Sequence, residues 1–300
     1  MTQAPKSPLP HDPVMLEECL EHLDLKKGQW YIDGTFGAGG HTRALLDAEV
    51  NVLAIDQDPS TSKYFQELQR EYSETNDAAK ASKLKRAEGN FKMMDSYAHA
   101  AGLESVAGVL LDLGLSSMQL EEGRGFAFRH DDPLDMRMSA QGPSAADLIN
   151  TLEQDELAAL IYKYGEERFS RRIARGIVSS RPIHTTKKLV EVIQRSYPKG
   201  SRRDHPARRT FQALRIAVND ELGALEEALV AAETILADEG RLVVMSYHSL
   251  EDRIVKHAFR NSELLTPLTK RPLTASEEEI AANPRARSAK LRAAVKRVQA

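Results

Sequence analysis

The sequence predicts a Rossmann-like, doubly wound α/β domain with an all-helical domain inserted into it. Three observations carry this expectation. Short strand-like runs alternate with helically spaced stretches from Gln29 to Asp112. The alternation then stops for more than a hundred residues of helical spacing, and it resumes at Arg241 to Tyr247 with an apolar run that can rejoin the first sheet.

Asp12 and Pro13 read as the N-cap and first residue of a helix running to about Leu23 and ended near Lys27-Gly28. Gln29 to Asp33, Asn51 to Asp56, Lys83 to Glu88 and Val106 to Asp112 are mostly apolar or alternating, as strands are. Strand, loop and helix in repeated order imply a parallel sheet with right-handed crossovers and a ligand crevice at the carboxyl ends of the strands. A Gly-rich loop follows from Gly123 to Pro143. Helices are then expected near Ala145 to Leu152, Gln154 to Tyr164, Glu166 to Ser179, Thr186 to Ser196 and Pro206 to Leu236. A helix from Ser249 and a last strand within Ala289 to Val298 complete the chain, with Ser276 to Glu279 a solvated turn or helix start. The expected division is therefore 1–138 and 216–300 for the α/β domain and 139–215 for a helical insertion.

Composition fits this size. With 300 residues, 41% of them hydrophobic and 28% charged, the chain can bury a large core and is not disordered in the main. No stretch approaches the roughly 18 apolar residues that span a bilayer, and the opening residues have neither a signal-peptide core nor an Arg-rich transit pattern, so a cytoplasmic enzyme is expected. The single cysteine, Cys19, excludes an internal disulfide and a cysteine-based zinc cluster, and its place among Leu16, Leu20 and Leu23 reads as a packed core thiol. The histidines show no ligand spacing, so no metal is expected. Oligomeric state is open, a homodimer included.

The formal net charge of −3 conceals an asymmetry. Gly165 to Arg215 carries fourteen Lys and Arg against Glu166, Glu167, Glu191 and Asp204, and Pro284 to Ala300 adds six basic residues and no acid. Positive charge concentrated on a mildly acidic chain points to a polyanionic partner met on one face. Arg208 and Arg209, with Arg202 and Arg203, are the candidate phosphate contacts. The loop from Arg124 to Met138 mixes Arg124, Phe126, Phe128 and Arg129, which is the composition of a base-stacking lid, or of a loop that packs on the sheet.

The chemistry starts at Asp33 to His41, where a strand, a glycine loop and a helix follow in immediate succession. Glycines there let a ligand approach backbone N–H groups and the helix N-terminus. A dinucleotide site would want a third glycine at position 42, where Thr42 stands, and Asp33 would repel a pyrophosphate. The ammonium of a zwitterionic amino acid suits that carboxylate instead, and the methionyl end of S-adenosylmethionine has both an ammonium and a carboxylate. Asp56 ends the second strand where a ribose would present its hydroxyls, with Asp58 the better N-cap. Phe91 after the third strand either stacks on an adenine or anchors the next helix. Asp112 closes the fourth strand at the crevice floor. Ser249 with Asp252 fits a capping box, leaving His248 as a candidate substrate contact.

Eight blocks carry a family resemblance. They are Asp-Gly-Thr-Phe-Gly-Ala-Gly-Gly-His (33–41), Leu-Leu-Asp-Leu-Gly-Leu-Ser-Ser (110–117), Arg-Gly-Phe-Ala-Phe (124–128), Pro-Leu-Asp-Met-Arg-Met (133–138), Tyr-Gly-Glu-Glu-Arg-Phe (164–169), His-Pro-Ala-Arg-Arg-Thr-Phe-Gln-Ala-Leu-Arg (205–215), His-Ser-Leu-Glu-Asp-Arg-Ile-Val-Lys (248–256) and Asn-Pro-Arg-Ala-Arg-Ser (283–288). In this order they resemble the bacterial 16S ribosomal RNA cytosine-N4 methyltransferases, the MraW family, from His11 to the end of the chain. Met118 departs from the proline usual in Ser-Ser-x-Gln, and the stretch from Asp58 to Lys83 is long and charged.

The resemblance implies that Gly39, Gly40, His41, Asp56, Phe91, Asp112 and Gln119 contact S-adenosylmethionine. It also implies that the substrate is the exocyclic amine of a decoding-site cytidine in 16S ribosomal RNA or the small ribosomal subunit. His41 and Gln119 come from the resemblance alone. Amino-methyltransferases place an acceptor at the end of the fourth strand to orient the amine. Asp112-Leu113-Gly114-Leu115 keeps the acid and loses the flanking Pro-Pro-aromatic, so Asp112 is either a cofactor contact or the catalytic orienter. Methylation at cytosine C5 would need a cysteine nucleophile, and Cys19 lies on the opening helix. A nicotinamide-dependent oxidoreductase and a non-catalytic RNA-binding factor are the competing classes, the first opposed by Thr42 and the second by Asp33, Asp56 and Asp112.

Overall fold

A computed structural model describes residues 12–74, 83–121, 123–139, 141–198 and 205–298. The chain forms two compact units, one of Met1–Gly114 with Leu222–Ala300 and one of Leu115–Glu221.

The first unit is built on a seven-stranded sheet with the order β3-β2-β1-β4-β5-β7-β6. Its strands are β1 (Trp30–Asp33), β2 (Asn51–Asp56), β3 (Leu84–Glu88), β4 (Val106–Asp112), β5 (Leu236–Ser246), β6 (Leu265–Pro267) and β7 (Lys290–Lys296). Pairing is parallel from β3 through β5, and β7 runs antiparallel between β5 and β6. The order reverses between β1 and β4, which makes their carboxyl ends the switch point where open α/β sheets take ligands.

Helices cover both faces, and the strands are apolar on both sides for that reason. Tyr31, Val52, Ala54, Leu110, Val243 and Met245 face a core closed by α1 (Leu16–Leu23), α2 (Gly40–Asp47) and α3 (Ser62–Glu74). The alternate residues Ile32, Leu53, Ile55, Val109, Leu111 and Val244 face a second core. It is closed by α4 (Met94–Ala100), by α11 (Glu221–Ile235) from Leu225 onward, and by α12 (Ser249–Asn261). Cys19 is fully buried, with its Sγ 3.6 Å from the Met245 sulfur, as a core thiol should be.

The second unit holds α5 (Ser117–Glu121), α6 (Ala145–Thr151), α7 (Gln154–Gly165), α8 (Ser170–Ser179), α9 (Thr186–Ser196) and α10 (Ala207–Asn219) around Ile149, Leu157, Ile161, Ile173, Ile177, Leu189 and Leu214. It takes in the Gly-rich loop as well, so it runs wider than the expected 139–215 at both ends. Backbone hydrogen bonds explain why: Leu134 donates to the His184 carbonyl, Thr186 to that of Asp132 and Met136 to that of Arg124. Asn219 holds the Met136 carbonyl and the Met138 N–H. Phe126 is buried in the helical core, and Phe128 stacks on His205 with centroids 4.4 Å apart. The loop packs on the helices of its own unit.

Three expectations about elements are corrected, and one strand, β6, is new. Helix α1 starts at Leu16, because Met15 is left-handed (φ 48°), its N–H goes to Glu279, and the Asp12 carbonyl is held by Asn283. The long helix from Pro206 to Leu236 breaks at Asp220 (φ 47°) into α10 and α11. Strand β5 begins at Leu236, with a register shift before Arg241 where Glu239 has φ 61°. Strand β6 carries no alternating pattern long enough to mark it. Of the two readings of the acidic run at Ser276, the helix start holds: Ser276 caps α13 (Glu277–Ala282).

The basic tail is used internally. Arg292 and Lys290 both pair with Asp252, Lys296 donates to the carbonyls of Glu233 and Leu236, and Arg297 donates to Thr266. Burial alone would raise the Asp252 pKa, yet the Arg292 and Lys290 charges hold that carboxyl below its ordinary range. These cations pin the antiparallel β7.

Candidate active site

In the first unit the carboxyl ends of β1, β2 and β4 carry Asp33, Asp56 and Asp112. The loop from Gly34 to Gly39 runs between them, tied down by bonds from the Gly34 N–H to the Leu110 carbonyl and from the Phe36 N–H to the Ile55 carbonyl. Gly39 precedes α2 at φ 81°, and a Cβ on it would lie 2.9 Å from the Phe36 ring. No other residue fits that turn without strain. The first N–H groups of α2, from Gly40 onward, therefore open onto the crevice end of the sheet.

Asp33 is 1% exposed, and its carboxylate accepts the Thr42 hydroxyl at 2.7 Å and the Thr35 N–H at 3.2 Å. It is a brace between β1 and α2, not the open acid that the loop motif implied. Thr42, standing where a dinucleotide site would carry glycine, supplies that brace and is fully buried. Asp56 is more accessible. Its two oxygens accept the Gly37 N–H at 2.7 Å and the Asp58 N–H at 2.8 Å, and each keeps a lone pair. Asp58 caps the turn at Pro59, as expected.

Burial and neighbouring charge act on two of these acids. Burial, above all, raises Asp33, with the Asp112 charge adding to it and His41, Thr42 and Thr35 opposing. Burial likewise pushes Asp56 up to about 6 against its two N–H donors, with Asp58 and Asp33 adding to the rise. A crevice of this charge favours a cationic ligand and disfavours a pyrophosphate.

Asp112 is anchored at both ends of its own residue. Its N–H donates to the Thr35 hydroxyl at 2.7 Å, and its Oδ1 accepts the Gly114 N–H at 3.1 Å. The Tyr247 hydroxyl, at the end of β5, bonds the same carboxylate; burial and then the Asp112 charge drive the phenol far above its ordinary pKa. Gly114 makes room for that phenol, since a Cβ there would lie 2.8 Å from the Tyr247 ring and 3.1 Å from Asp112 Oδ1.

Six of the seven sequence-predicted residues lie in this unit. Gly39, Gly40 and His41 form the start of α2, where the His41 ring nitrogen is 3.3 Å from the Val14 carbonyl. Asp56 and Asp112 end their strands. Phe91, half-buried after β3, packs beside Gly34 with its Cβ 3.3 Å from where a Gly34 Cβ would stand. Gln119 belongs to the second unit. There its carbonyl oxygen accepts the Ser116 N–H and its own N–H donates to Ser116 Oγ, a reciprocal cap on α5.

Position 248 brings a correction. The capping box of α12 is His248 with Glu251, not Ser249 with Asp252: Glu251 is 2% exposed and accepts the N–H groups of Tyr247 and His248. Asp252 is taken by Arg292. The residues that sequence reasoning missed are Thr35, Thr42 and Tyr247. Tyr247 left one readable sign, a polar-tipped aromatic directly after an apolar strand at the crevice end of the sheet.

The second unit's cations divide in two. Arg181 donates to the Ile149 and Leu152 carbonyls, Arg195 pairs with Glu191, Arg209 donates to the Glu166 carbonyl and Arg215 pairs with Glu221. Arg208 is exposed. Arg202 and Arg203 lie outside the described residues. No described helix is long and apolar enough to cross a membrane.

Comparison with known proteins agrees with this geometry. The ribosomal RNA small subunit methyltransferase H of Deinococcus deserti is 54% identical over 288 residues, covering 95% of this chain and 92% of that protein. The protein of the same name from Deinococcus radiodurans is 54% identical over 286 residues, 94% of this chain and 88% of the relative. The one from Beijerinckia indica is 48% identical over 309 residues, 95% and 85% of the two chains. The profile of the MraW methylase family matches residues 8–297, and with identities of this order over nearly the whole length the chain belongs to the MraW methylase family.

Proposed function

We propose that this methylase transfers the methyl group of S-adenosylmethionine to the exocyclic N4 of a decoding-site cytidine in 16S ribosomal RNA, in the cytoplasm, with the small ribosomal subunit as its partner. The observation that carries the cofactor is the crevice itself: Asp33, Asp56 and Asp112 end three neighbouring strands around a glycine loop and a helix N-terminus. The residues fit the group. Asp56 has acceptor capacity for ribose hydroxyls, Phe91 offers a ring beside Gly34, and Gly39, Gly40 and His41 bring the α2 terminus to a carboxylate. Gln119, which the family resemblance also implies, belongs to the second unit. The names of the relatives carry the RNA substrate, and the inserted unit with its exposed cations supports it.

When bound, S-adenosylmethionine supplies a sulfonium methyl that needs no acid to leave. The protein's part is alignment. The cytosine amine is a weak nucleophile because its lone pair is delocalised into the ring, so an acceptor must draw on an amine N–H and turn the lone pair toward the methyl. Asp112 is held rigidly by Thr35, Gly114 and Tyr247 at the crevice floor, a fixed negative group next to the reaction. Our reading makes it a cofactor contact, with orientation of the amine as its second role.

Asp112→Asn separates the two roles. Cofactor affinity measured by calorimetry and methyl transfer measured in a single turnover at saturating cofactor give independent readings. Weakened binding with normal transfer removes the catalytic role, and normal binding with slow transfer establishes it. Competition by S-adenosylhomocysteine but not by NAD tests the cofactor class. Sequencing of 16S RNA from cells lacking the protein tests the nucleotide, and an unchanged cytidine N4 would overturn the proposal.

A further inference from the structure

In the second unit, α8 has an amphipathic sequence, Ser-Arg-Arg-Ile-Ala-Arg-Gly-Ile-Val-Ser. Ile173, Ala174 and Ile177 are buried, while Arg171, Arg172 and Arg175 are exposed on the other side. Residues 171 and 175, and 172 and 175, stand at i,i+4 and i,i+3, so the Arg175 charge falls at a spacing that disfavours it against each of the other two. Arg171 and Arg172 also occupy the first turn, where the helix dipole favours negative charge, and that turn has no acidic residue. Among the described residues, no hydrogen bond or ion pair relieves any of the three. Elsewhere in this unit Arg181, Arg195, Arg209 and Arg215 are each held by a carbonyl or a carboxylate within it, whereas Arg208 is exposed like the three. Three like charges at a spacing and a helix end that both disfavour them constitute a surface arranged for an external anion.

We infer that Arg171, Arg172 and Arg175 form the surface on which this protein grips the phosphate backbone of its RNA. The inference rests on the RNA substrate proposed above and adds α8 to the candidate phosphate contacts; of those named from sequence, Arg208 is exposed, Arg209 donates to the Glu166 carbonyl, and Arg202 and Arg203 lie outside the described residues. Arginine suits the task because its planar fork pairs with two phosphate oxygens at once. Contacts of this kind set affinity and position the RNA without reading its sequence.

The test is the triple variant Arg171→Gln, Arg172→Gln, Arg175→Gln, which keeps good helix formers on α8 and removes three charges. Its control is Lys270→Gln with Arg271→Gln, two exposed cations of the first unit. RNA affinity is measured for the full-length proteins as a function of salt, using a small-subunit RNA fragment or unmethylated small subunits, with thermal unfolding and cofactor affinity alongside. Each lost phosphate contact lowers the slope of log K against log salt by about 0.7, so the triple variant's slope is shallower by about 2. A fourfold rise in salt then costs the variant about sixteenfold less affinity than it costs the wild type. Cofactor affinity and unfolding temperature stay at wild-type levels. An unchanged slope in the triple variant, or an equal change in the control, overturns the inference while wild-type methylation of the same RNA leaves the proposed function standing. Failure of the wild type to methylate that RNA overturns both.

Discussion

The crevice makes cofactor binding sensitive to acid at a higher pH than a solvent-exposed carboxylate would. Burial pushes Asp56 up to about 6, so its ionised fraction falls from about nine-tenths near pH 7 to about one-tenth near pH 5. Ribose hydroxyls donate, and only the ionised carboxylate accepts without first surrendering an oxygen to its own proton. Affinity for S-adenosylhomocysteine should therefore weaken about tenfold, or about 1.4 kcal/mol, across that interval. By linkage, binding near pH 6 should release a proton.

Stability of the unliganded chain moves the other way. Because the folded pKa exceeds the unfolded one, the folded chain retains a proton between about pH 4 and pH 6 that the unfolded chain has lost. Stability is therefore greatest below about pH 4 as far as this group is concerned, and falls by up to about 3 kcal/mol as pH rises through about 6. Calorimetry in two buffers of different ionisation enthalpy, from pH 5 to 7, measures both the affinity and the proton. A flat affinity profile, or proton uptake in place of release, would refute the assignment of Asp56 to the ligand. Asp56→Asn should bind weakly at every pH with no step near 6.

Two further outcomes are expected. Gly39→Ala places a Cβ 2.9 Å from the Phe36 ring at φ 81°, and should lower stability by about 1–2 kcal/mol and abolish detectable cofactor binding; thermal unfolding and calorimetry check both, and near-wild-type binding would mean the α2 terminus is not part of the site. Tyr247→Phe removes a hydroxyl that bonds the Asp112 carboxylate, a charge-assisted contact of about 1.5–3 kcal/mol, and should lower kcat more than tenfold if Asp112 orients the amine; a change confined to KM for the cofactor would place Asp112 on the cofactor alone.

The blocks of strand and helix were legible because hydropathy period is local: Asn51 to Asp56 reads as a buried strand whatever its neighbours are. So were the acids at the ends of β1, β2 and β4, since a polar residue that closes an apolar strand must reach a surface or a partner. Which of the two it reaches is not local. Asp33 faces Thr42 and Thr35, while Asp56 keeps acceptor capacity, and nothing in the motif distinguished them.

By itself, then, the sequence determined the α/β alternation, the helical insertion, the Gly39 turn, the exclusion of a dinucleotide by Thr42 and the family. The tertiary structure decided the partners. Asp12 meets Asn283 across 271 residues, Asp112 meets Tyr247 only because β4 and β5 are neighbours, and the tail's cations turn inward because β7 runs antiparallel beside β5. The same contacts leave Arg171, Arg172 and Arg175 unmatched among the described residues while Arg181, Arg195, Arg209 and Arg215 are satisfied. Side-chain partnership depends on strand order and helix packing, which no local period encodes, and so does the difference between a charge that holds the fold together and one that faces a ligand.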